Sequence, residues 1–203
     1  MSLCDRSVTA DIKRNCKEPL QKGLESVGYL VRRSDIDFGS VTFNASNDNI
    51  VEDLPLLTGK KAVKIYQENN PFTGTNSAVE VGTYSNGVTH NVVFVVPDKG
   101  PGVAHDIIDP LVSGEEFVVI LENKYKGLQN ETNPGAAAFQ IYGFHQGAVV
   151  SAGEVDKYSD DTLSGWLITL TETRAPKAEM YLFKETYAAT KAALESMTVA
   201  ATE

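Results

Sequence analysis

Nine short runs rich in β-branched and aromatic residues, each closed by a turn, occupy the chain from residue 28 to residue 173. They read "GYLVRR" (28–33), "SVTF" (40–43), "AVKIYQ" (62–67), "AVEVG" (78–82), "VTHNVVFVVP" (88–97), "EFVVILEN" (116–123), "FQIYGF" (139–144), "AVVS" (148–151) and "GWLITLTET" (165–173). Several alternate in character, as strands with one buried face do. In the last run Trp166, Ile168 and Leu170 fall on one face, with Leu167, Thr169 and Thr171 on the other. The separators "NPFTGTN" (70–76), "SNG" (85–87), "PDKGPG" (97–102), "NETNPG" (130–135) and "RAP" (174–176) supply Gly, Pro or Asn where a backbone must reverse. The Asn-Gly of "TYSNGVTH" is the strongest hairpin signal.

Helical signals are few. "GVAHDIIDPLVSG" (102–114) places Val103, Ile107 and Leu111 on one helical face, but Pro110 argues against a long regular helix. "KETYAATKAALESM" (184–197) is rich in Ala, Lys, Glu and Leu and is the clearest helix. No strict βαβ alternation exists, which argues against a nucleotide-binding α/β fold. The expected fold is mainly β: an antiparallel two-sheet sandwich or rolled barrel with a flanking helix and a C-terminal helix. Residues 1–203 form one domain in this reading, with 1–26 as an N-terminal arm and 184–203 as a C-terminal helix and tail.

The charge is uneven. Residues 1–33 hold seven Lys/Arg against four Asp/Glu, a sum of +3, while the remainder of the −9 chain sums to −12. So acidic a surface does not adsorb nucleic acid, which needs clustered cations. Cys4 and Cys16 are the only cysteines and form neither a C-x-x-C motif nor a disulfide framework. They are read as two thiols, with a disulfide pinning the arm as the alternative. The first twenty residues lack the apolar stretch of a secretory signal, and no run of 18 apolar residues spans a membrane.

Chemistry-bearing motifs are absent. None of His90, His105 and His145 has another His at metal-ligand spacing, and "HDIID" offers only His105 and Asp109 four residues apart. There is no G-x-S-x-G, and "TGKK" (58–61) lacks the first Gly and the Ser/Thr of a P-loop. Gly143 and Gly147 follow a strand without a helix opening after them, as a dinucleotide site requires. Carboxylates cluster in "SGEEF" (113–117) and "GEVDKYSDD" (153–161), but the latter lacks the Gly and terminal Glu of an EF-hand loop and reads as an exposed acidic loop. No catalytic set, metal site or cofactor is expected, and Trp166 is assigned to the core.

The second half, "EFVVILENKYKG…AFQIYGFHQGAVVSAGEVDKYSDDTLSGWLITLTETRAPKAEMYLF", resembles tail tube-like and tail hub structural proteins of tailed bacteriophages. The likeness lies in the order of features. A strand with a charged tip (Phe117–Asn123) leads to a "YG…G" pair (Tyr142–Gly147), an acidic loop (Asp156–Asp161) and a last strand (Trp166–Thr173). "PLQKGLESVGYLVRRSDID" and "LTGKKAVKIYQ" resemble the family's first strands, and the likeness covers about two-thirds of the chain. The basic arm and the extra C-terminal helix depart from it, which leaves tube, hub and head–tail connector open.

The resemblance implies a non-enzymatic virion protein, made in the host cytoplasm, that assembles into a hexameric or larger ring. Other tail, hub or connector proteins would be its partners, with DNA passing nearby without specific binding and no membrane involved. It assigns Asn70, Pro71, Phe72, Thr73 and Gly74 to a subunit-contacting loop, and Glu154, Asp156, Asp160 and Asp161 to a channel-facing or loop acidic set. Two readings of other classes compete. One is a β-sandwich binding carbohydrate or a host surface, with Trp166 and tyrosines as platform. The other is a hydrolase using the 153–161 carboxylates.

Overall fold

The computed structural model describes residues 8, 10–69 and 71–198. Among the described residues, eleven strands form two sheets. The first sheet contains β1 (Leu24–Arg32), β2 (Thr42–Phe43), β3 (Ile50–Asp53), β4 (Val63–Tyr66), β7 (Phe117–Asn123), β8 (Phe139–Tyr142) and β11 (Met180–Leu182), in the order β2-β3-β11-β8-β7-β1-β4. The second contains β5 (Asn76–Glu80), β6 (Gly87–Val96), β9 (Val149–Val155) and β10 (Trp166–Ala175), in the order β5-β6-β10-β9. Every pairing is antiparallel except β11 with β3. The two sheets form an open sandwich, as expected from the strand pattern, and not a closed barrel.

β7 explains how two sheets and a helix share one molecule. Its odd residues Phe117, Val119 and Leu121 join the apolar layer between the sheets, with Val92, Phe94, Ile168 and Leu170 opposite them. Its even residues Val118 and Ile120 join a second layer with Tyr29, Val51, Phe139 and Leu194. Both faces are buried, so "FVVIL" is a continuous apolar run instead of an alternating one. The second layer is closed by α3 (Tyr187–Met197), whose Leu194 is fully buried and whose Tyr187 ring stacks on Phe139 at 5.5 Å.

α3 begins three residues later than its composition suggests. Thr186 is the N-cap, its Oγ1 accepting from the Ala189 N–H at 3.1 Å. Thr190, not an apolar residue, is the second fully buried position on this helix. Its hydroxyl donates to the Thr186 carbonyl and accepts from the Lys184 N–H, so it enters the core with no polar group unpaired.

The helix between β6 and β7 also differs from expectation. It consists of α1 (Pro101–Val103), a π segment (Ala104–Ile108) and α2 (Asp109–Val112). Pro110 offers no N–H and its ring collides with the carbonyl four residues earlier, and the wider π turn relieves that clash. The extra residue per turn moves the apolar stripe by one position. Ile108 and Leu111 are buried while Ile107 is 41% exposed, so the inward face is Val103, Ile108 and Leu111.

Candidate assembly surface

The second sheet turns one face to the core and the other outward. Its two edge strands, β5 and β9, are exposed along most of their length. A line of side-chain hydrogen bonds crosses the outward face. Asn91 Nδ2 donates to Asn76 Oδ1 at 3.1 Å, Thr171 Oγ1 donates to Asn91 Oδ1 at 2.8 Å, and Ser151 and Thr171 hydroxyls meet at 2.6 Å. All four strands contribute one residue to it, which fixes their register from the solvent side. The ladder-paired positions on this face include Glu80 on β5 and Glu154 on β9 and no Lys or Arg. Arg174 lies within the bulge in β10 and donates to the Ser85 carbonyl at the tip of the β5–β6 hairpin.

Glu154 belongs to a strand, not to the acidic loop: it pairs with Leu167 and is exposed. β9 runs through Val155 because Val150, Gly153 and Val155 face Leu170, Ile168 and Trp166 across the ladder. Asp156, Asp160 and Asp161 do lie in the loop that follows, all exposed. Asp156 Oδ1 accepts from the Tyr158 N–H at 2.9 Å, a local turn bond.

The loop 71–75 does two jobs. Phe72 is 3% exposed, packed in the layer between the sheets, so its ring is closed to any neighbouring subunit. It fits because Gly28 leaves room: a Cβ there would sit 2.8 Å from Phe72 Cζ and 2.7 Å from Leu121 Cδ2. Pro71 is partly buried, Thr73 and Gly74 remain exposed beside a shallow cleft of about 390 Å³, and Asn70 lies outside the described residues. Cys4 also lies outside them, and Cys16 is exposed with no disulfide to a described residue.

The histidines take separate structural positions. His90 is buried, its Nδ1 2.7 Å from Ser77 Oγ and its ring edge-on to Tyr142. His105 is exposed and contacts Asp106 at 2.6 Å, not Asp109; that bond raises its pKa. His145 sits in the "GFHQG" turn, where burial lowers its pKa. That turn is organised by a residue with no motif to announce it. Glu172, 2% exposed, receives the N–H groups of Gly143 at 2.8 Å, His145 at 3.0 Å and Gln146 at 2.8 Å. Three N–H donors converge on one carboxylate, as on an anion held in a backbone nest. Gly143 is required there: its φ is +79°, and a Cβ would lie 2.3 Å from the Phe117 carbonyl.

A second buried carboxylate, Glu122, faces α3. Lys126, Lys191 and the Tyr187 hydroxyl converge on it, and Lys126 also reaches Glu25. Burial pushes its pKa up, but the hydrogen bonds from Lys126 and Tyr187 outweigh that and hold it below the usual carboxylate range. Both buried acids are thus committed to the frame. No group of three or more His, Cys, Asp or Glu among the described residues is placed to hold a metal ion.

Trp166 is half-buried against the inter-sheet layer and lines a cleft of about 250 Å³ with Val103, Ala104 and Val155, flanked by Lys99 and Lys157. Of the two most exposed tyrosines, Tyr158 lies in the β9–β10 connection at the Trp166 end of the sheet and Tyr84 in the β5–β6 connection at the opposite end, so the three aromatics are not gathered on one platform. No helix among the described residues is long and apolar enough to cross a membrane. Comparison with protein-family models, with curated proteins and with solved structures found no match to this chain.

Proposed function

We propose that this chain is a non-enzymatic structural subunit that closes head-to-tail on copies of itself, forming a ring of a bacteriophage tail around a DNA channel. The observation that carries the reading is the pair of unlike edges, β5 and β9, on opposite sides of one four-stranded sheet, neither paired with a further strand among the described residues. An edge strand offers unpaired N–H and C=O groups to another chain. Two different edges on one sheet make a heterologous contact, which closes into a ring when the rotation allows.

The outward face suits the same role. Its ladder-paired positions bear Glu80 and Glu154 without a compensating cation. Phosphate contacts with Lys and Arg would hold DNA in place, whereas an acidic wall lets it slide. Purified protein is expected to run as a single large species by mass photometry and to show rings by negative-stain microscopy. A strict monomer at high concentration overturns the proposal.

A further inference from the structure

The four-stranded sheet has two ends as well as two edges, and the ends are unlike. At one end the β5–β6 hairpin tip (81–86) projects, with Val81 85% exposed and Tyr84 wholly exposed. Arg174 lies beside this tip. At the other end β9 and β10 are joined by the acidic loop, and the apolar cleft of Val103, Ala104, Val155 and Trp166 opens next to it. The ten residues of β6 from Gly87 to Val96 separate the two ends. At about 3.3 Å per residue that is about 30 Å, so no chain can seat its tip in its own cleft.

We infer that the hairpin tip of one copy docks end-on into the Trp166 cleft of another, so that subunits stack in one direction. This rests on the self-assembly reading above. Exposed apolar side chains at one end match an apolar recess at the other. The charges match as well: the Arg174 guanidinium accompanies the tip, and Asp156, Asp160 and Asp161 lie in the loop beside the cleft. Lys99 and Lys157 flank the cleft with no carboxylate at ion-pair distance among the described residues, free to lie over the Tyr84 ring as it enters. A contact between unlike ends that cannot close on itself propagates as a filament, so rings joined this way become a tube.

The test uses full-length chains with Cys4 and Cys16 replaced by Ser. One carries Ser85→Cys, exposed beside the intact Tyr84 ring, and another Lys157→Cys; they are mixed under a mild oxidant. Disulfide-linked pairs are expected in the mixture and not in either chain alone. Ser85→Cys mixed with Leu128→Cys, which is exposed elsewhere, is expected to give none. Separately, Val81→Ser with Tyr84→Ser is expected to abolish tubes while rings of wild-type mass persist, and high salt is expected to shorten wild-type tubes. Cross-links no more frequent than with Leu128→Cys, or full-length tubes from the double-serine variant, overturn the docking. Wild-type rings without tip-to-cleft cross-links refute the docking alone. A wild type that stays monomeric refutes the ring reading too.

Discussion

Gln67 and Val95 exchange two hydrogen bonds as if the side chain were a strand: the Val95 N–H donates to Gln67 Oε1 at 2.8 Å, and Gln67 Nε2 donates to the Val95 carbonyl at 2.7 Å. Gln67 directly follows β4 of the first sheet, and its own N–H donates to the Ser26 carbonyl at 2.8 Å. Its carboxamide therefore joins the two sheets and covers β6 where β5 no longer reaches. Gln67→Ala leaves a largely buried N–H and C=O unpaired and is expected to cost about 2 kcal/mol, read as a lower urea midpoint with an unchanged slope.

Glu172 makes a sharper case. Its carboxylate accepts three backbone N–H groups, and an amide in its place turns an NH₂ toward at least one of them. Glu172→Gln is expected to cost about 3 kcal/mol. The amide proton shifts of Gly143, His145 and Gln146 should move together in NMR spectra. A variant as stable as wild type would show that the turn holds its shape without the charge.

Glu122 makes stability depend on pH. Its pKa is depressed in the folded protein, so its contribution is complete above the ordinary carboxylate range and is lost as pH falls through the lowered value. Denaturant titrations from about pH 5 down to about pH 3 should show wild type losing stability more steeply than Glu122→Gln. At neutral pH the variant is expected to be weaker by about 2 kcal/mol, since Lys126 and Lys191 keep some access to water that offsets their lost partner.

Gly28 is packed too tightly to accept a methyl group. Gly28→Ala drives a Cβ into Leu121 and Phe72 and is expected to cost about 2 kcal/mol. Because Phe72 anchors the 71–75 segment, the same change should speed proteolysis there. Equal protease resistance in the two proteins would argue that the loop is held by other contacts.

The outward face of the four-stranded sheet can be tested by reversing its charge. Glu80→Lys with Glu154→Lys is expected to convert assemblies that ignore double-stranded DNA into ones that retain it, with retention lost at high salt. An unchanged electrophoretic mobility of DNA with the double variant would place that face away from any channel.

The strand runs were legible because alternation and turn chemistry are local signals, and all nine lie on strands of the folded protein. β3 and β11 were not, because each is a short segment whose place comes from distant partners: Tyr181 pairs with Ile50 on one side and Gln140 on the other. The Val103–Ile107–Leu111 face followed from a 3.6-residue period, which the π turn before Pro110 breaks. Phe72 read as a loop residue because nothing local reveals that a glycine at position 28 opens space for its ring. Gln67 and Glu172 were silent for a related reason. Each lies beside a strand or within one as an unremarkable polar residue, and its partners are 28 positions away for Gln67 and 26 to 29 for Glu172.

The place of β11 sets a timetable for synthesis. A nascent chain that has emerged as far as Ala175 already holds every strand of the four-stranded sheet. Its seven-stranded sheet is still in two fragments, β2-β3 and β8-β7-β1-β4, and β11 alone joins them. The segment that seals the seven-stranded frame thus leaves the ribosome after every strand it joins, and the surface bearing β5 and β9 gains its rigid support only once Leu182 has emerged.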